Sequence, residues 1–355
     1  MVGGIERYNF YLNQLLESYG YQVDIYYKND LPDSIINKFV HRSFPQIEEY
    51  FLLPGLIAAQ LSSYDLVFTN GVVGGQLRTG ETRVYNVAHG ILAAGFNTLK
   101  KQDKVSRCHL TLRLSLFLER LSKKNKAGII AVSNLVREEL IRYYNVDSMV
   151  INNGVDLNHF RQSKDFRAKR KSYGIADDEI VGIYAGRWDP VQKRVQFLLD
   201  VIRERTDIKW VIATDTKIDM SEFDNVVLIN GAGYDEMPQI YSMADFALQL
   251  SLYEGFSYFA VESIACSLPL ISTRVGVADG IYTDPELRKL RIESWHHDPS
   301  FMDEVNSKIS FLKDNPDFRY SFAKRSRELA KQKFSLEIWR KTMAEYLDLP
   351  GKRGA

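Results

Sequence analysis

Apolar side chains return at helical spacing within the first twenty residues. Ile5, Tyr8, Leu12, Leu15, Leu16 and Tyr19 share one stripe of an amphipathic helix over residues 5–19, and Gly20 ends it. Residues 23–27 then predict a strand. Short apolar runs recur at residues 66–69, 84–88, 129–133 and 149–151, separated by polar or helix-like stretches. That alternation predicts βαβ units and a mostly parallel sheet. Past Asn152, Asn153 and Gly154 a segment rich in Lys and Arg, residues 161–171, interrupts the pattern. It restarts at residues 180–185 and continues through 209–214, 225–229, 246–250 and 270–273, a second doubly wound unit. From Phe301 onward the pattern is helical, and residues 350–354 read as a frayed end.

The expected organisation is therefore an α/β protein of two Rossmann-like parallel-sheet domains facing a central cleft. Residues 1–160 form the first domain and 161–335 the second, with a helix over about 336–352 packing back on the first. Length agrees, since 355 residues exceed what one hydrophobic core usually supports. A net charge of +1, with 45% apolar and 26% charged residues, excludes the excess basicity of a nucleic-acid binder. The two cysteines, Cys108 and Cys266, lie far apart among apolar or helical residues, as expected in a reducing compartment. No apolar stretch approaches the roughly 20 residues that span a bilayer, and no signal-peptide layout opens the chain, so a cytoplasmic location is expected.

Candidate chemistry gathers where strands give way to helices. Gly3 and Gly4 open the first helix, where backbone amides at the positive end of its dipole suit an anion; a tight turn is the plainer reading. Arg187 follows Gly186 at the end of the second unit's first strand, with Lys193 six residues on and Arg194 beside it. Ligands of open α/β sheets bind beyond the strands' carboxyl ends, so Arg187 and Lys193 stand where a diphosphate would lie; solvated surface charge is the alternative. In the segment from Glu254 to Glu262, Glu262 falls inside an apolar helix among Phe259, Val261, Ile264 and Ala265. A carboxylate there needs partners, either two adjacent hydroxyls such as those of a ribose or an internal cation.

These blocks, in order, resemble the retaining glycosyltransferases of family 4 with the GT-B fold, over nearly the whole chain. They are Gly-Gly-Ile-Glu-Arg at the start, Ala131-Val132-Ser133, Asn153-Gly154-Val155-Asp156, Gly186-Arg187 with Lys193, Glu254-Gly255-Phe256 with Glu262, and Ser267-Leu268-Pro269. The resemblance implies that Arg187 and Lys193 bind the donor diphosphate, that Glu262 holds the ribose and that Glu254 contacts the transferred sugar. It further implies Gly3 and Gly4 as phosphate contacts, Gly255, Phe256 and Ser257 as donor-binding, and His89 as a group near the reacting sugar. The implied donor is a nucleotide sugar, UDP- or GDP-linked, and the acceptor a sugar, a lipid-linked molecule or a small molecule. The implied activity is transfer of a hexose-type sugar with retention, without cofactor or metal.

The chain departs from the family pattern in opening at the Gly-Gly loop with no apolar strand ahead of it, and the expectation is a shortened start. Arg194, Ser257 and Ser267 stand where the family usually has glycine. Arg194 is expected to be either an extra phosphate contact or an outward-facing charge. Residues 99–126 hold nine cations, Lys100, Lys101, Lys104, Arg107, Arg113, Arg120, Lys123, Lys124 and Lys126, interleaved with leucines. Such a helix suits peripheral contact with anionic lipid at the inner membrane face, or a core-packed helix with a solvated basic face. Competing readings are a GT-B-fold phosphorylase or epimerase, and a GT-B subunit without catalysis that binds a partner or carbohydrate. A dehydrogenase is disfavoured because neither half shows Gly-x-Gly-x-x-Gly after its first strand.

Overall fold

The computed structural model describes residues 3–27, 48–100, 110–295 and 297–349. Lys101, Lys104, Arg107 and Cys108, and the frayed end from residue 350, lie outside the described residues. The chain divides into two compact units, an N-terminal one of Ile5–Asn152 with the segment from Met343 and a C-terminal one of Asn153–Thr342, to which the chain's start through Gly4 is also assigned.

In the N-terminal unit, helix α1 (Gly4–Ser18) buries Tyr8, Tyr11, Leu12, Leu15 and Leu16, and Gly20 at φ +85° leads the chain away. Ile5, expected on that stripe, is instead exposed, and Tyr11 takes its place on the buried face. Residues 23–27 form no strand. Most of this run is exposed, and side chains tether it instead: the Tyr64 hydroxyl donates to Asp24 Oδ2 at 2.9 Å and pairs with Tyr26 Oη at 2.7 Å. Helix α2 (Glu48–Ala58) precedes a parallel sheet laid out in chain order, β1 (Leu66–Asn70), β2 (Arg83–Ala88), β3 (Gly128–Ala131) and β4 (Met149–Val150). Helices α3 (Leu92–Lys100), α4 (Leu110–Ser122) and α5 (Asn134–Tyr144) supply the crossovers. Ser133 caps α5 by accepting from the Val136 amide, and Asn145 at φ +53° closes its far end.

The basic stretch turns partly inward. Leu114, Leu118 and Leu121 pack with Val72, so these leucines of α4 serve the core. Lys123 is buried, its Nζ donating to Gly71 O at 2.8 Å and to Asn86 Oδ1 at 2.5 Å. Lys126 donates to the carbonyls of Gly74 and Leu77. Two of the cations expected on a membrane-facing surface thus hold the loop after β1, and desolvation pushes both amines down to about 8. Glu119, also buried, accepts from the Leu92 and Ala93 amides at 2.9 and 3.3 Å, where a carboxylate meets the positive end of α3. Among the described residues no helix is long and apolar enough to cross a membrane.

The sheet of the C-terminal unit begins after helix α6 (Phe166–Ser172) with β5 (Val181–Ala185), followed by α7 (Val195–Glu204), β6 (Lys209–Thr214) and β7 (Val226–Asn230). Helix α8 (Met237–Ser242), β8 (Phe246–Gln249), α9 (Tyr258–Ala265), β9 (Leu270–Ser272) and α10 (Ala278–Ile281) follow. The strand order is β7-β6-β5-β8-β9, all parallel. Strands are added outward on one side of β5 and then on the other, so the order reverses between β5 and β8. That switch point is where an open parallel sheet leaves a crevice at its carboxyl ends. Gly182 on β5 admits the Trp210 ring from β6, since a Cβ there would sit 2.5 Å from it.

Three helices close the chain: α11 (Phe301–Asp314), α12 (Pro316–Lys333) and α13 (Leu336–Tyr346). Arg327 of α12 donates to Phe160 O at 2.6 Å and Leu157 O at 2.9 Å, and Val155 bridges Ser335. The Asn-Gly-Val-Asp block is tied down there: a Cβ on Gly154 would lie 2.7 Å from Leu336 Cα. Helix α13 belongs to the C-terminal unit through Thr342 and to the N-terminal unit from Met343. On the latter, Tyr8 Oη lies 3.9 Å from Met343 Sδ, the Tyr346 ring meets Tyr85 edge-on at 5.9 Å, and Arg83 donates to Leu347 O at 2.9 Å.

Candidate functional site

The switch point assembles the cationic residues with a carboxylate. Gly186, at φ +152°, turns the chain off β5 and sends Arg187 into solvent, while Tyr184 Oη donates to Arg187 O at 2.6 Å. From the other side of the switch, β8 runs into the loop that carries Glu254. Residues 192–194 are joined to this loop at several points. Leu252 N donates to Gln192 O at 2.8 Å, Gln192 Nε2 donates to Tyr253 O at 3.1 Å, and Arg187 donates to Gln192 Oε1 at 3.3 Å. Lys193 Nζ pairs directly with Glu254 Oε1, to which Ser251 Oγ also donates at 2.8 Å. Arg187, Lys193 and Glu254 are therefore brought together, with Gln192 between them. Burial, with the Glu254 carboxylate behind it, holds the Tyr184 phenol well above its ordinary range and so neutral.

Arg194 is neither a phosphate contact nor an outward charge. It is buried, donating through Nε to Leu250 O at 2.5 Å and through its fork to Ser251 O at 3.4 Å. Its guanidinium lies over the rings of Phe197 and Phe301, at 5.3 and 5.1 Å. Desolvation lowers its pKa to about 10, which leaves it charged at neutral pH. It anchors the strand end from which Glu254 projects.

Helix α9 is buried along most of its length, including Glu262, which is 4% exposed. The Tyr241 hydroxyl donates to Glu262 Oε2 at 2.8 Å. The carboxylate is thus partnered by a phenol from α8. Ser257 starts α9 at φ +83°; its hydroxyl accepts from the Ala260 amide and donates to buried Gln249. Phe256 is buried, and its carbonyl accepts from Val277 N at 2.8 Å. Gly276 closes this loop from behind. At φ +55°, a Cβ there would lie 2.4 Å from Phe256 O and 3.0 Å from Glu254 Cβ. Gln192, Ser251, Tyr241 and Gly276 were not singled out by the sequence, because none carries a charge; the glycine between Val275 and Val277 was the available signal.

The remaining candidates lie at the start of the chain and in the N-terminal unit. Gly4 is the first residue of α1, with Gly3 at the bend before it. His89 follows β2, its ring edge-on to Tyr8 at 4.9 Å. Asn70 Nδ2 donates to Asn9 Oδ1 at 3.2 Å, which turns Asn70 Oδ1 toward His89 Nε2 at 2.9 Å. An amide oxygen can only accept, so Nε2 carries the proton and Nδ1 the lone pair. Desolvation first, and the charge of Lys123 second, hold His89 down at about 3, a neutral imidazole at any physiological pH. Among the described residues no group of three His, Cys, Asp or Glu side chains is arranged to hold a metal ion.

Two parallel-sheet units, one with cations and carboxylates at its switch point, are the architecture of the GT-B fold class. Solved structures agree on the fold. Sucrose-phosphate synthase from Thermosynechococcus elongatus superposes with a TM-score of 0.74 at 19% identity, covering 98% of this chain and 93% of that one. Anabaena HepE in complex with UDP and glucose gives 0.68 at 17% identity, covering 98% and 96%. Residues 2–159 match the description Glycosyltransferase Family 4 and residues 165–329 Glycosyl transferases group 1, and the chain belongs to glycosyltransferase family 4. An uncharacterized glycosyltransferase of Methanocaldococcus jannaschii is 28% identical over 177 residues, 45% of each chain. The matched segments span about half the length of such curated relatives.

Proposed function

We propose that the protein transfers a hexose-type sugar from a UDP- or GDP-linked donor to a hydroxyl acceptor, with retention of configuration and without a metal. The carrying observation is the cluster at the β5/β8 switch point, where Arg187 and Lys193 converge beside Glu254 with Glu262 buried in the following helix. In this reading, breaking the bond between sugar and diphosphate leaves negative charge on phosphate oxygens, and Arg187, Lys193 and the start of α9 stabilise it. Glu262, held by Tyr241, accepts hydrogen bonds from the two ribose hydroxyls. Glu254 contacts the transferred sugar. That HepE was solved with UDP and glucose supports a nucleotide-sugar donor.

A thermal-shift panel of UDP-, GDP-, ADP- and dTDP-sugars tests it. A donor at about 100 times its dissociation constant adds about 2.7 kcal/mol to stability; no shift across the panel would falsify the donor assignment. Arg187→Ala and Lys193→Ala should each lower turnover about 10²- to 10³-fold, as loss of one preorganised donor does.

A further inference from the structure

The ion pair between Lys193 and Glu254 joins a group that the reading above assigns to phosphate with one that it assigns to sugar. The two side chains are 17% and 8% exposed, so the pair is mostly withdrawn from water. Resting on that reading, we propose that Glu254 occupies the phosphate's place on Lys193 until a donor binds, and that this exchange makes the site select sugar-bearing nucleotides over bare nucleoside diphosphates. Phosphate reaching Lys193 Nζ has to displace Glu254 Oε1, and two anions near one ammonium repel each other. Ser251 Oγ, already on the same Oε1 at 2.8 Å, keeps the released carboxylate in the loop. A largely buried carboxylate with one neutral donor is under-compensated. The hydroxyls of a donor sugar supply the missing hydrogen bonds, and a bare diphosphate supplies none. The bare nucleotide left after transfer is thus held against the recoil of Glu254 toward Lys193, which favours its release.

Glu254→Gln removes the competing charge with little change of shape. Calorimetric titration of wild type and this variant with UDP, GDP and the matching glucose-linked donors separates the possibilities. The variant should bind the bare diphosphate about 10-fold more tightly than wild type, and the wild-type preference for the sugar-linked form over the bare one should shrink. Glu254→Ala should shift affinity in the same direction, and it carries the test if the glutamine variant lacks a cooperative thermal transition. Bare-diphosphate affinity unchanged or weaker in the folded variants, with wild type binding the donors normally, would overturn the exchange and leave the donor site standing. Failure of wild type to bind any of these nucleotides would overturn the functional reading itself.

Discussion

Arg194, Ser257 and Ser267, the three residues that replace glycines usual in the family, all have left-handed backbone, at φ +52°, +83° and +65°. Each position strains a non-glycine residue by roughly 1–2 kcal/mol, yet the side chains change the outcome. Ser267→Gly should raise stability by about 1 kcal/mol in urea unfolding, strain relief outweighing the freer unfolded chain. Arg194→Gly should instead lower it by about 2 kcal/mol, because relief of strain does not offset loss of charge-assisted bonds to the Leu250 and Ser251 carbonyls. The sequence showed the departures but not the sign, since adjacent Lys193 and Arg194 read alike as cations while their side chains go to opposite fates. His89 yields a pH prediction. Its folded pKa of about 3 lies below the ordinary 6.5, so between those values the unfolded chain binds the extra proton. Its contribution is fully present above 6.5 and falls away as pH drops toward 3. His89→Asn should flatten the acid side of the stability curve by up to one proton over that window, as read from unfolding free energies at stepped pH.

At the scale of elements, what could be read in advance followed from what each segment packs against. The nine described strands of the two sheets fall on short apolar runs, most of them buried, so they were legible. Residues 23–27 carry the same residue types, but no described strand pairs with them, and propensity alone does not make a ladder. The charged positions of the site followed from strand ends. The neutral groups that aim them did not, because Gln192, Ser251 and Gly276 act through carbonyls and close approach rather than charge. Gly276 is the sharpest test: Gly276→Ala should destabilise by about 2–4 kcal/mol, adding backbone strain to overpacking against the Phe256 carbonyl. Thermal denaturation measures the loss. Donor titration of any folded fraction should show weakened binding, because the same contact seats the Glu254 loop.

At the scale of the whole molecule, the chain leaves the N-terminal unit after Asn152 and returns to it at Met343. Deleting residues 343–355 should therefore speed hydrogen exchange in Gly4–Ser18 and Arg83–Ala88, which lose Met343, the Tyr346 ring and the Leu347 carbonyl. Amides of β5 and β6 should keep their protection; loss in those strands to the same degree would contradict the division. The same connectivity sets an order of events on the ribosome. The first part of the N-terminal unit, with Tyr8 and Tyr85, is complete at Asn152, but the residues that cover those rings are translated only after the roughly 190 residues of Asn153–Thr342. At about 5–20 residues per second, that apolar surface waits roughly 10–40 s for its last helical turn, an interval in which a nascent-chain chaperone has something to hold.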